Sequence, residues 1–341
     1  MSVHEGSTAD SAVMQRLAYL DGWRGLAILF VIEAHFVRYF ESFRWDFGRI
    51  GVDVFFCLSG MLMSRILFVR RLDLVTFYKR RLSRILPVFV VFVCVVFGGA
   101  WLSGHASTWA EFFYTLTFLR TYLPLELGIW ESPLPIGHLW SLNVEEHCYL
   151  VLGLLTLVAA VRGREGATLL LAGTAAIVIH LIYIKVPVVA PRSFDQHTEI
   201  AASHLLISAG YFLWRERFIG WVRPWMPVAT FLLAIATYLP FLPGRTEVVF
   251  SPFLLAFTVN HLDATPTLVR RFLSSRPLCL MGIWSYSIYL WQQPFFQLKS
   301  SLPIAPVGAS VLAFVAAMAT ALASFYLLES PTRRWLNANW K

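Results

Sequence analysis

The sequence predicts an all-α, polytopic membrane protein with about ten transmembrane helices and both termini in the cytoplasm. Three observations predict it. Of the 341 residues 57% are hydrophobic and only 14% are charged, with a mean hydropathy of +0.63, whereas a soluble domain carries about 25% charged residues. Ten apolar runs of spanning or near-spanning length fall at about 20–40, 51–69, 85–104, 138–161, 167–186, 200–214, 225–243, 248–262, 279–299 and 303–328. Lys and Arg gather in alternate loops, as the positive-inside rule requires.

Residues 1–16 are polar and lack a signal-peptide pattern, so they read as a short, disordered cytoplasmic tail. The helical domain then covers 17–336, and 337–341 form a short cytoplasmic end. The first run opens with Arg24 and contains His35. Eleven residues make three helical turns with roughly 20° left over, so both share a face, about 16 Å apart along the axis. With Arg24 at one surface, His35 is near the bilayer midplane, where an ionisable side chain is expensive and marks a functional site by default. A buried histidine bonded to a neighbouring helix is the plainer alternative.

The second run, Gly48 to Gly60, carries Asp53 near its outer end. The acid either lines the outer approach or answers the helix dipole, and Ser59 and Gly60 allow close helix approach. Before the third run, loop 70–84 holds Arg70, Arg71, Lys79, Arg80, Arg81 and Arg84. Arg81 and Arg84 are i,i+3 neighbours on one face, and paired guanidiniums bind phosphate bidentately. Segment 111–125 is amphipathic and aromatic and reads as interfacial. The fourth run begins His138-Leu139-Trp140-Ser141 and continues to Glu145-Glu146-His147. His138 and Glu145 share a face. Carboxylates beside imidazoles are the usual apparatus of general acid–base chemistry. The sixth and eighth runs are short for a span. The ninth contains Trp284-Ser285-Tyr286-Ser287 and Tyr289-Leu290-Trp291-Gln292, which suits either a sugar-recognising cavity or interhelical bonding. Leu327 to Trp335 reads as a cytoplasmic cap.

Placing loop 70–84 inside puts eighteen basic residues on the cytoplasmic side and eight on the other. This asymmetry explains the net charge of +8 without nucleic acid. Cys57, Cys94, Cys148 and Cys279 all fall in apolar runs, as buried thiols do, with neither disulfide nor zinc-ligand spacing.

Together these segments resemble the acyltransferase-3 family of bacterial integral membrane proteins, over nearly the whole chain from about Leu20 to Trp335. Arg24 and His35 are similar to the family's Arg, ten residues, His signature. Arg81 and Arg84 resemble its Arg-x-x-Arg, Trp140 to Glu146 its Trp-Ser-Leu then Val-Glu-Glu segment, and Gly51 to Gly60 its Gly-Val-Asp-Val-Phe-Phe then Leu-Ser-Gly run. Three positions depart: Gln292 stands where members often have His, His147 where they often have Gln, and Glu33 where they usually have an apolar residue. No hydrolase-like domain follows the last helix, unlike in fused members.

The resemblance implies a bacterial inner-membrane enzyme moving an acyl group, acetyl from acetyl-CoA, onto a hydroxyl of a glycan or lipid-linked glycan. Arg24, Arg81 and Arg84 are then expected to hold the donor, and His35 to act as general base or transient acyl carrier. Glu145 or Glu146 would orient an imidazole or the acceptor. Asp53, His138, Trp140, Ser141, Ser285 and Tyr286 would form the acceptor's approach. No permanently bound cofactor and no metal are expected. The rivals on composition are a transporter or flippase of a lipid-linked sugar, though the two halves show no repeat, and a polysaccharide polymerase, which would carry a longer outer loop than 105–137.

Overall fold

The computed structural model describes residues 3–37, 46–104, 107–242 and 245–340, with side chains from Ala18 onward. Arg38, Arg44 and Lys341, and the side chain of Arg16, all used in the charge argument, lie outside the described residues. Every regular element described is helical. The helices are α1 (Val3–Ile32), α2 (Phe47–Ser64), α3 (Leu74–Leu102), α4 (Trp109–Leu116), α5 (Trp140–Leu155), α6 (Glu165–Lys185) and α7 (Thr198–Ala201). They continue as α8 (Ser203–Trp214), α9 (Met226–Thr237), α10 (Thr246–Asn260), α11 (Thr267–Leu273), α12 (Arg276–Leu298), α13 (Pro306–Ser324) and α14 (Ser330–Asn339).

Each of the ten apolar runs contains a helix of its own. Among the described residues, four helical segments are long and apolar enough to cross a membrane: Phe47–Val69, Leu74–Leu102, Glu165–Lys185 and Pro306–Asn339. The chain is thus a multi-pass membrane protein. α1 and α12 fall short on polarity rather than length: they pack against each other, α1 carrying the part-buried Asp21 and Arg24 and α12 burying Ser285, Ser287, Gln292 and Gln293. A helix sheathed in protein need not be apolar on every face. α8, α9 and α10 are shorter than the roughly 20 residues of a simple span.

Only residues 70–73 of the basic segment 70–84 lie outside a helix. Asp73 accepts the Thr76 N–H at 2.8 Å and caps α3, so helix begins at Leu74 and Arg81 and Arg84 stand on it. The backbone of α1 is helical back to Val3, into the segment read as a disordered tail, a stretch whose only strong helix breaker is Gly6.

Wide π-type turns extend α1 at Glu33–Val37, α2 at Arg65–Val69 and α13 at Phe325–Glu329, the irregularity that recurs at functional sites. The first contains His35. Between α4 and α5 the chain folds over itself around a buried ion pair. Arg120 donates from Nε and Nη2 to Glu111 Oε1 at 3.0 and 2.9 Å and from Nη1 to the Leu127 carbonyl at 3.0 Å, while Ser132 Oγ donates to the same carboxylate at 2.7 Å. Both charges have complementary partners, which a buried ion pair requires. Next to it the Gly128 N–H and the Arg192 guanidinium hold the Glu131 carboxyl below its usual range.

Candidate active site

α1 and α12 meet at backbone distance. A Cβ on Gly25 would stand 2.0 Å from the Leu278 carbonyl oxygen, and one on Gly282 1.7 Å from that of Asp21. Only glycine permits this approach, as at small-residue crossings in membranes. It brings Arg24, next to Gly25, against α12, where Nη2 donates to Ser285 Oγ at 3.1 Å.

Arg24 lines a cavity of about 100 Å³ with Ser59, Arg81, Arg84, Ser141, Glu145, Ser285, Tyr286 and Tyr289. Arg81 Nη2 lies 3.4 Å from Glu145 Oε1, with the guanidinium 3.9 Å over the Tyr149 ring. Glu145 also accepts from Ser59 Oγ at 2.5 Å and from the Tyr149 hydroxyl. Arg84 makes no hydrogen bond or ion pair among the described residues, although Arg24, Arg81, Glu145 and Glu329 are within its electrostatic reach. Three guanidiniums round one carboxylate leave the cavity lining with an excess of positive charge, which suits a polyanion.

His35 lines a second cavity, of about 290 Å³, with Asp46, Arg49, Trp130, His138, Trp140 and Tyr289 among its walls. His35 Nδ1 is 2.5 Å from Gln292 Oε1, and Gln292 Nε2 donates to the Tyr289 carbonyl at 3.4 Å. The amide oxygen therefore faces His35, and Nδ1 is the donor. A neutral imidazole held this way carries its lone pair on Nε2, the tautomer of a base or nucleophile. The ring stacks on Phe296 at 4.4 Å.

The two cavities lie end to end. α1 contributes Arg24 to one and His35 to the other, α2 gives Ser59 and Arg49, and α5 gives Glu145 and Trp140. Val52 and Tyr289 border both. The Tyr289 hydroxyl donates to the His138 carbonyl at 2.7 Å and sits 2.6 Å from Ser141 Oγ.

Arg24, Arg81, Arg84, Glu145, Ser141, Ser285 and Tyr286 thus come together at the first cavity, and His35, His138 and Trp140 at the second. Tyr286 donates its hydroxyl to the Ile85 carbonyl at 2.8 Å. Glu145 contacts Arg81 and hydroxyls rather than a histidine. Glu146 borders neither cavity, and its buried Oε1 has no hydrogen-bond partner among the described residues. Asp53 is buried and also borders neither, holding Arg49 instead. His147 is turned away, its Nδ1 2.8 Å from Thr198 Oγ1. Sequence reasoning missed Arg49 and Tyr149, and gave Tyr289 only as part of the polar stretch of the ninth run. Tyr149 is four residues after Glu145, the helical spacing for a pair, and was findable. Arg49 and Tyr289 gain meaning only from the packing of four helices.

A bundle of membrane helices, with arginines round one end of a polar interior and a tautomer-fixed histidine at the other, defines the class: an integral membrane group-transfer domain. The chain belongs to the acyltransferase-3 family, whose model, described as an acyltransferase domain, matches residues 17–329. Among curated proteins it is similar to the peptidoglycan O-acetyltransferase OatA of Listeria monocytogenes, at 28% identity over 92% of this chain and 55% of the relative. It is likewise similar to the putative peptidoglycan O-acetyltransferase YrhL of Bacillus subtilis, at 28% over 92% and 54%. To the O-acetyltransferase OatA of Staphylococcus aureus it is 24% identical over 92% and 57%. The chain spans about half the length of these relatives. No solved structure matches it.

Proposed function

We propose that this protein is a membrane-bound O-acyltransferase that moves an acyl group, acetyl from acetyl-CoA, onto a hydroxyl of a glycan or lipid-linked glycan in the bacterial inner membrane. The observation that carries the reading is the pair of stacked cavities, one ringed by Arg24, Arg81 and Arg84, the other lined by His35 and two tryptophans. The relatives' names point to peptidoglycan as the kind of acceptor. Family membership and the relatives' names speak against the transporter alternative.

In this reading the arginine cavity faces the cytoplasm, in keeping with the positive-inside asymmetry. Arg81 and Arg84 take phosphates of the donor, and Arg24, steadied by Ser285, guides the thioester toward Tyr289 and Val52. Glu145 holds Arg81 in place through its contacts with Ser59 and Tyr149. The acceptor hydroxyl enters beside His35. As its oxygen attacks the thioester carbonyl, His35 Nε2 takes the hydroxyl proton. The C–S bond then breaks, and the CoA thiolate leaves and collects that proton. The same tautomer would serve if Nε2 carried the acyl group in between. Gln292 fixes the ring where many family members place a second histidine.

Membranes containing the protein, given acetyl-CoA labelled in its acetyl group, are expected to transfer label to an alkali-labile ester on glycan or glycolipid. Absence of labelled ester from membranes holding folded protein and endogenous acceptor would overturn the assignment.

A further inference from the structure

We infer that the histidine cavity accepts an acidic sugar, with the Arg49 guanidinium binding a carboxylate or phosphate of the acceptor. The inference rests on the acyltransferase reading and names its substrate class. Arg49 stands in the first turn of α2 and lines the cavity beside His35. Its Nε donates to both oxygens of Asp53, at 3.3 and 3.1 Å, while Nη1 and Nη2 donate to no protein acceptor among the described residues. The guanidinium lies 5.1 Å over the ring of Trp140.

Asp53 is fixed in turn by a buried scaffold. The Tyr238 hydroxyl donates to its Oδ2 at 2.7 Å, and His204 Nδ1 lies 3.4 Å from Oδ1. Ser251 Oγ joins His204 Nε2 at 2.9 Å and the Tyr238 hydroxyl at 2.8 Å. Side chains from α2, α8 and α10, with Tyr238 at the end of α9, thus converge on one side of one guanidinium. An arginine held at Nε by a fixed carboxylate, with an indole ring 5.1 Å from its guanidinium, keeps its two terminal amino groups available as a preorganised fork. Such a fork suits the two oxygens of a carboxylate or phosphate, to which it makes two charge-assisted bonds, and a neutral hydroxyl would use it poorly.

The rest of the cavity suits a sugar. Trp130 and Trp140 offer flat apolar walls. The ring of His138 is buried at the cavity wall, and among the described residues its only hydrogen-bonding neighbour is the Leu290 backbone, which leaves capacity that a hydroxylated ligand would satisfy. Asp46, the other charged group lining the cavity, accepts the Arg49 N–H at 2.8 Å as the cap of α2, so its charge is set against the helix N-terminus.

The test is a tryptophan-fluorescence titration of the full chain in detergent, at low and at 0.5 M salt, with three probes: trigalacturonic acid, neutral chitotriose and glucose 6-phosphate. Wild type should bind an acidic probe at least about tenfold more tightly than chitotriose, with the preference shrinking in salt. Arg49→Gln should bring the acidic probe to the neutral level, and Arg49→Lys should retain part of the preference. Trigalacturonate or glucose 6-phosphate as the tighter ligand tells a carboxylate from a phosphate. Equal affinity of wild type for acidic and neutral probes overturns the inference, and needs no variant to fold. A full acidic preference in folded Arg49→Gln overturns it too. An acidic preference without any acyl transfer would support the acidic site and sink the acyltransferase reading instead.

Discussion

His35 is defined less by its own helix than by what it meets across α12. Bonding through Nδ1 to Gln292 orients the ring, and Nε2 is the nitrogen proposed to act. His35→Ala should lower transfer by about 10² to 10⁴, the usual contribution of a general base, with the protein still inserted and folded; near-normal turnover of a well-expressed variant would remove His35 from the chemistry. Gln292→Leu keeps the imidazole but frees its tautomer. A lost hydrogen bond of about 0.5–1.5 kcal/mol should lower kcat roughly two- to tenfold with little change in donor affinity, measurable by steady-state kinetics. At the other cavity, Arg81 and Arg84 separate two accounts of a basic cluster. As donor ligands each should be worth about 1.5–3 kcal/mol, so Arg81→Ala and Arg84→Ala should weaken acetyl-CoA binding roughly ten- to hundredfold by calorimetry. Lysine should rescue only in part, because it lacks the fork. If the cluster only sets topology, either alanine leaves affinity unchanged and lysine substitutes fully.

Among the elements, the α1–α12 crossing sets the site. Arg24 and His35 on one helix meet Ser285 and Gln292 on the other. The crossing depends on Gly25 and Gly282, where a Cβ would collide with backbone rather than a flexible side chain. Gly25→Ala and Gly282→Ala should each destabilise the protein by about 1–3 kcal/mol, as overpacking does, and should misplace Arg24. Gly98 in α3 is the control. Nothing lies within 4 Å of a Cβ built there, so Gly98→Ala should be neutral or stabilising by up to about 1 kcal/mol. Thermal unfolding of the three variants in one detergent compares them directly, and equal midpoints would show that the crossing tolerates a methyl.

For the whole molecule, the sequence reading places both termini and the start of α3 in the cytoplasm, which aligns the arginine cavity with a cytoplasmic donor. A single cysteine replacing Asp73 should be labelled by a membrane-impermeant reagent only from the cytoplasmic side; labelling from outside would invert the molecule and the donor site with it. The segment between α4 and α5 supplies Trp130 to the His35 cavity. Arg120→Ala would leave Glu111 buried without its counter-charge, a loss of about 3–5 kcal/mol when uncompensated. Limited proteolysis should then cut between Leu119 and Pro135 while the membrane helices stay intact.

The sequence by itself determined the all-helical membrane class, the ten apolar runs, the family, and the residues that carry charge into the bundle. Composition and spacing carry those facts locally: a run is apolar or not, and Arg24 and His35 share a face by helical arithmetic alone. Tertiary structure decided which polar groups face which. Asp53 looked like part of the outer approach, yet it is buried behind Arg49, because α8, α9 and α10 bring His204, Tyr238 and Ser251 round it. Glu145 looked like a partner for an imidazole, yet it meets Arg81 and two hydroxyls. The polar stretch of α12 left a sugar-recognising cavity and interhelical bonding open; Ser285 and Tyr289 do bond across helices, and both also line cavities. Helical periodicity tells which residues share a side of one helix. Which helix lies opposite, and at what depth, is set by close crossings such as Gly25 with Gly282, between residues more than two hundred positions apart.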